Sequence, residues 1–506
     1  MKRLFCKSAL ILFFLSWNSY VKGQQLSTIQ ESILSNKKDF YFIDFKKYPK
    51  PLKNLPIGVF DSGTGGLTVL DAIVNFDQYN NTSKAAKPDG KLDFENENFI
   101  YLADQANMPY GNYNATGKDD LLKEHIIKDF QFLLANKYYS DANDIVHQTN
   151  KRPVKAIVIA CNTATAYGYE EAIKFLDKSG LNIPVIGVIN AAARGTLSFF
   201  DKSENGSIGV FATVGTIASA GYERTIKNQL KEGGFIGNIQ IYNQGGHGLA
   251  EAVDEEQDYI DKKLSNHRDN YRGPSLNNDK YKIEKSLLDV YNFDFDNNKM
   301  LCDNQNTDDC SIMQLNDAEN YVRFHLVSLM EKIRKSANPQ PLKALILGCT
   351  HYPYLVNEIN TVFKELRDYK NQSGEYVYRH LLKDQVAIVD PSIYVAQELY
   401  AALQHDNLFN TEGNMWSNSE FFISVPNLTN KSIQIDNQGK FTYEYKYGRN
   451  AGEIQEYVKV IPFDRNNISY ETINRFEKLI PQTFRLIQNF SKENSKLSKV
   501  KLTDRI

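Results

Sequence analysis

Short runs of Val, Ile, Leu and Phe, each closed by Gly, Pro or a polar turn, recur along this chain: PIGVF, NFIYLAD, KAIVIAC, PVIGVI, GSIGVFAT, KALILGC and QVAIVDP. Continuous apolar runs of this length suit strands buried on both faces. Between them lie segments with apolar residues at helical spacing: LTVLDAIVNF, LLKEHIIKDFQFLL, YGYEEAIKFL, VRFHLVSLMEKI and VNEINTVFKEL. Strands separated by helices pair in parallel, because a parallel neighbour is reached only through a crossover. The pattern predicts an α/β fold, mainly parallel sheets flanked by helices, with more strands than one sheet needs.

At 506 residues the chain has room for about three average domains, or two enlarged by insertions. The polar, Asn/Asp/Lys-rich stretches near 80–97, 137–152, 255–315, 367–385 and 427–450 read as surface elaborations without a core of their own. The last residues, 491–506, read as a mobile tail. A hydrophobic content of 42%, a charged content of 24% and a net charge of −2 are those of a soluble globular protein. They give no electrostatic reason for a nucleic-acid partner or an anionic membrane.

The start, MKRLFCKSALILFFLSWNSYVKGQQ, has a basic end, an apolar stretch from Ala9 to Trp17 and a small-residue site near Gly23. This predicts a signal peptide over 1–23, followed by an extension over 24–54, and an exported, periplasmic protein. The apolar stretch is shorter than the roughly 20 residues a spanning helix needs, so stable membrane insertion is not expected. With no cysteine close behind it, lipid attachment is not expected either. An uncleaved anchor or a buried N-terminal helix is the competing interpretation of the same residues.

Of five cysteines, Cys6 falls in the candidate signal. Cys302 and Cys310 bound the polar loop CDNQNTDDC, either as a small disulfide ring or as two exposed thiols. Their spacing is not that of metal ligands, and the eight histidines form no HExxH or Cys/His cluster, so no metal site is expected. That leaves Cys161 and Cys349, each at the end of a similar strand.

Ligands of open parallel sheets collect outside the carboxyl ends of the strands. Polar clusters stand at such ends: DSGTGG from Asp61, CNTATA from Cys161, ATVGT from Ala212 and CTHYP from Cys349. DSGTGG lacks the spacing of a P-loop or a dinucleotide fingerprint, and alone it reads as a structural turn. A lone cysteine after a strand is usually a small buried hydrophobe. Two of them, each followed by a threonine-bearing loop, suit another task. Removing the proton α to an amino-acid carboxylate and returning it on the other face requires a base and an acid on opposite sides. A thiolate and a thiol can exchange those roles, with helix N-termini and a neighbour such as His351 populating the thiolate.

IGVFDSGTGGLTVL, YLADQANMPYG, VIACNTATA, PVIGVI, IGVFATVGTIASAGY and LILGCTHYPYL, in this order, resemble the glutamate racemases of the aspartate/glutamate racemase superfamily. The resemblance covers most of residues 55–400. It implies two pseudo-symmetric α/β domains with the active site at their interface and no cofactor. The domains would be 55–182, continued by 386–490, and 183–385, carrying the insertion at about 255–315. By the same resemblance Cys161 and Cys349 are the acid/base pair, assisted by Asp61 and His351. Asp61, Ser62, Tyr110, Gly111, Asn162, Thr163, Thr350 and His351 match the substrate contacts. For His351 the plainer alternative is a core histidine.

The chain departs from the family pattern in three places. Asn190 in GVINA stands where an assisting glutamate is expected, and an amide does not exchange protons at neutral pH. The segment IYNQGGHGLAEAVDEE lacks a cysteine–proline start. Long inserts and an export signal are unusual for an enzyme that normally supplies D-glutamate to cell-wall peptidoglycan from inside the cell. The favoured function is therefore a glutamate-type amino-acid racemase with a small amino acid as its partner. Alternatives are a racemase of aspartate or another amino acid, and a periplasmic amino-acid-binding protein that has lost the chemistry. A pyridoxal enzyme has no support in the sequence, and the oligomeric state, including a homodimer, is left open.

Overall fold

All of those apolar runs form strands. In chain order the strands are β1 (Ile57–Asp61), β2 (Phe99–Ala103), β3 (Ala156–Ile159), β4 (Val185–Gly187), β5 (Gly206–Ala212), β6 (Ile239–Gly245), β7 (Met300–Cys302), β8 (Met313–Leu315), β9 (Leu342–Gly348), β10 (Leu382–Val389), β11 (Glu420–Pro426) and β12 (Val458–Pro462). They belong to a computed structural model that describes residues 26–304 and 309–506. The candidate signal peptide, 1–23, lies outside the described residues. Among the described residues no helix is long and apolar enough to cross a membrane.

Hydrogen bonding sorts the strands into two main sheets and a hairpin. One sheet runs β12-β11-β2-β1-β3-β4, the other β10-β9-β5-β6, and β7 pairs with β8. Within the two main sheets only β11 and β12 are antiparallel. The order β2-β1-β3-β4 is repeated as β6-β5-β9-β10, so β1 corresponds to β5 and β3 to β9. In each lobe the chain leaves its first strand to one side and returns on the other, and the crevice at such a reversal is where α/β sheets bind ligands. The reversals fall between β1 and β3 and between β5 and β9. The four polar strand-end clusters stand at those places.

Period-two alternation divides the first sheet between two cores. Ile57, Val59, Ala156 and Val158 face one apolar cluster, while Phe60, Ile157 and Ile159 face another. The former cluster also takes in Ile208, Val210, Ala344 and Ile346 of the second sheet. One continuous core therefore runs between the lobes. The helices Val188–Leu197 and Pro391–His405 pack on each other within it. Such a shared core fixes the facing strand ends relative to each other.

Among the outlying segments, residues 255–315 have no separate core: Ile283, Tyr291, Met300 and Met313 join the apolar cluster of the second lobe, and Cys302 and Cys310 form a disulfide. The tail 491–506, expected to be mobile, is packed. Leu497 is fully buried, a contribution of about 2 kcal/mol, and the buried Lys496 ammonium meets Glu420 at 2.6 Å. In the N-terminal extension, helix Thr28–Ser35 buries Ile29 and Ile33 against helix Asp119–Leu134.

Candidate functional site

Asp61 ends β1, and the loop behind it turns at once into helix Leu67–Val74. Its Oδ2 accepts the Gly66 N–H at 2.9 Å and the Gly63 N–H at 3.4 Å. Position 66 has no room for a side chain, because a Cβ there would stand 2.6 Å from Asp61 Cβ and 2.9 Å from Ala160 Cβ. The glycine lets the loop close onto the end of β3, where Cys161 caps helix Asn162–Ser179. Cys161 Sγ accepts the Ala164 N–H at 3.4 Å and lies 3.7 Å from Ser62 Oγ. A helix start ordinarily lowers a thiol's pKa. Here burial, followed by the charge of Asp61, pushes Cys161 up and keeps it a thiol. Burial also raises Asp61, against the N–H groups and the thiol that favour its carboxylate.

The corresponding end of the second lobe is built differently. Beyond β9, His351 Nδ1 stands 3.6 Å from Cys349 Sγ and 3.4 Å from Thr350 Oγ1. Its Nε2 meets Asp254 Oδ2 at 3.2 Å, and the same oxygen accepts Arg475 Nη1 at 2.8 Å. Burial opposes a charge on His351, but Asp254 and Cys349 outweigh it and lift its pKa to about 10. Burial also opposes the Asp254 carboxylate, yet His351 and Arg475 hold it below the usual range. One half is thus a buried thiol beside a buried carboxyl group. The other is an ion-paired chain that reaches its cysteine through an imidazolium.

The halves meet closely at their cysteine-bearing ends. Asn162, directly after Cys161, donates through Nδ2 to the carbonyl of Gly348, directly before Cys349, at 3.3 Å. A Cβ at Gly65 would lie 3.5 Å from Asp61 Oδ2 and 3.7 Å from Thr350 Oγ1. Between the lobes opens a cleft of about 1100 Å³ bordered by Asp61, Ser62, Thr163, Cys349, Thr350 and His351. Hydroxyls, helix-start N–H groups and a cation around a concave site suit an anionic small molecule.

Other expected residues sit less simply. Gly111 borders the cleft, as does Tyr110, but the Tyr110 hydroxyl turns into the lobe, where its oxygen lies 2.6 Å from Asp104 Oδ2 and 2.8 Å from Asp129 Oδ2. The Asn162 amide is spent on the lobe contact, its Oδ1 accepting the Tyr222 hydroxyl at 2.9 Å. Asn190 lies on helix Val188–Leu197, where its carbonyl accepts from Gln229, and it is not among the residues bordering the cleft. The carboxylate that meets His351 is that of Asp254. Sequence reasoning missed both Asp254 and Arg475. The available signal was the acidic stretch AEAVDEE behind β6, a strand end on the same side as the other clusters.

No family model matches the chain. Among curated relatives, a glutamate racemase from Corynebacterium kroppenstedtii is 35% identical over 177 residues, which are 35% of this chain and 46% of that protein. One from Lactobacillus johnsonii is 26% identical over 358 residues, or 71% of this chain and 84% of the relative. The chain thus spans about half the length of the first relative and most of the second. A solved glutamate racemase, RacE1 from Bacillus anthracis, is 23% identical with a TM-score of 0.40, covering 73% of this chain and 87% of that one. The Thermus thermophilus glutamate racemase structure is 22% identical with a TM-score of 0.37, at 73% and 87% coverage. By sequence, the chain is similar to glutamate racemases over these lengths.

Proposed function

We propose that this protein interconverts L- and D-glutamate without a cofactor, using Cys161 and Cys349 as the two proton-transfer groups. The observation that carries this reading is the Asn162–Gly348 contact. It joins two cysteine-bearing strand ends that are equivalent in the repeated strand order; Cys349 borders the cleft, while Cys161 is buried behind Ser62 and is not among the residues lining it. The substrate carboxylates would take the helix-start N–H groups and the hydroxyls of Ser62, Thr163 and Thr350. In one direction the Cys349 thiolate takes the α proton: the C–H bond breaks, an S–H bond forms, and the electron pair passes into the α-carbon and its carboxylate. The Cys161 thiol then gives its proton to the opposite face. In the other direction the roles are exchanged. The apolar start and lack of a nearby cysteine support an exported, periplasmic protein.

The test is proton exchange at the α-carbon. The purified chain is incubated with L- or D-glutamate in heavy water under reducing conditions, following α deuteration and optical rotation. Deuteration with inversion, lost in Cys161→Ala and in Cys349→Ala, is the expected result. Binding without exchange would favour the amino-acid-binding reading. Faster exchange with aspartate would move the substrate assignment.

A further inference from the structure

Arg475 belongs to helix Tyr470–Leu479, far from every motif that marks the site. That helix packs on helix Pro481–Glu493, which in turn packs on helix Leu67–Val74 of the first lobe. The Thr483 N–H donates to Asp71 of the latter at 3.2 Å. Asp254, by contrast, follows helix Leu249–Val253, which packs on helix Ala318–Arg334 of the second lobe. The 2.8 Å bond from Arg475 Nη1 to Asp254 Oδ2 therefore crosses the cleft. It ends on the same oxygen that receives His351, whose other nitrogen faces Cys349.

We propose that Arg475 is a positioning residue that straps the Asp254–His351–Cys349 chain of the second lobe to the first lobe. The proton-transfer machinery at Cys349 is then complete only with the cleft closed. This rests on the racemase reading for its catalytic meaning but not for its geometry. Glu251 of helix Leu249–Val253 and Asp254 just behind it border the cleft with Cys349 and His351 of the loop after β9, and Tyr354 of the same loop lies within electrostatic reach of Arg475 and Asp254. Asp71 and Asp390 act on Tyr354 from the first-lobe side and from the start of helix Pro391–His405. Arg475 is the cation that crosses from the first lobe to Asp254, and it lies alongside the imidazolium. Its loss both frees Asp254 and removes a like charge near His351.

The experiment compares Arg475→Met and Arg475→Lys with the unaltered protein, measuring glutamate exchange from pH 6 to 10.5. Arg475→Met is expected to lower kcat about tenfold with a smaller change in KM, and to move the alkaline limb upward by up to about one pH unit. Arg475→Lys is expected to restore the limb and most of kcat. Equal loss at all pH values without rescue by lysine would reduce Arg475 to a structural part and overturn the proposal, as would activity within twofold of the unaltered protein. Failure of the unaltered protein to exchange the α proton would instead refute the racemase reading. In that case an NMR titration of His351 still decides the strap: an upward move of its midpoint in Arg475→Met supports it, and an unmoved midpoint overturns it.

Discussion

Replacing Asp254 by Asn keeps the shape of the relay and removes its charge. A full charge pair at the 3.2 Å separation of Asp254 Oδ2 and His351 Nε2 interacts by about 5 kcal/mol at an effective dielectric of about 20. The side chains are 24% and 21% exposed, and Arg475 shares the oxygen, so a net loss of about 2 kcal/mol is the reasonable expectation. At about 1.4 kcal/mol per unit this lowers the His351 pKa by one to two units from about 10. The sign follows from a raised folded-state pKa. Stability and activity that depend on the imidazolium are fully present below its ordinary pKa and disappear as pH rises through about 10. In Asp254→Asn that loss begins one to two units lower. At pH 9 the protonated fraction drops from about nine-tenths to between about one-half and one-tenth, and at pH 7 it changes little. Glutamate exchange in heavy water, measured from pH 6 to 10.5, should fall more at pH 9 than at pH 7. An alkaline limb that stays in place, or an equal loss at every pH, would refute the assignment of Asp254 as the group that keeps His351 charged.

Gly66→Ala should disable the other half of the site. A methyl group 2.6 Å from Asp61 Cβ and 2.9 Å from Ala160 Cβ has no flexible neighbour to displace. Loss of about 2 kcal/mol in denaturant unfolding and at least a hundredfold loss of exchange are expected; an unchanged rate would show that the loop has slack. Asn190→Glu should leave turnover within about twofold, since position 190 does not border the cleft. A clear gain in kcat would show that a carboxylate there reaches the substrate after all.

Much of this was legible because burial on both faces writes a strand plainly. The runs around Val59, Val158, Val210 and Ile346 are almost continuously apolar, and each sheet was visible in outline. β11 and β12 were not, because β11 joins β2 only after more than three hundred intervening residues and β12 is added on the outer side of β11. The half-buried β6 lacks a continuous apolar run. Cys161, Cys349 and His351 were legible because strand, thiol and polar helix start are adjacent in sequence. Asp254 and Arg475 meet across 221 residues, and no local pattern announces an ion pair of that kind. Asn190 misled for a related reason: no local pattern tells which helix residue borders the cleft, and position 190 does not.

The two halves are built differently, yet thermodynamics limits what that difference can do. Mirror-image amino acids have equal free energy in water, so a racemase must show the same kcat/KM for both enantiomers at every pH. A buried thiol beside Asp61 and an ion-paired chain through His351 cannot bias that ratio. They can only redistribute it between kcat and KM, according to which proton carrier is ready when each enantiomer arrives. Burial and Asp61 keep Cys161 a thiol, whereas His351 is held charged against Cys349. The enantiomer whose α proton faces Cys161 must therefore wait for a proton to leave that thiol, a step the other does not share. Any change in the relay, at Asp254 or Arg475, must alter kcat/KM for the two enantiomers by one common factor while shifting their kcat values unequally. Unequal kcat/KM values in initial rates would mean that the isolated protein performs a reaction other than racemisation.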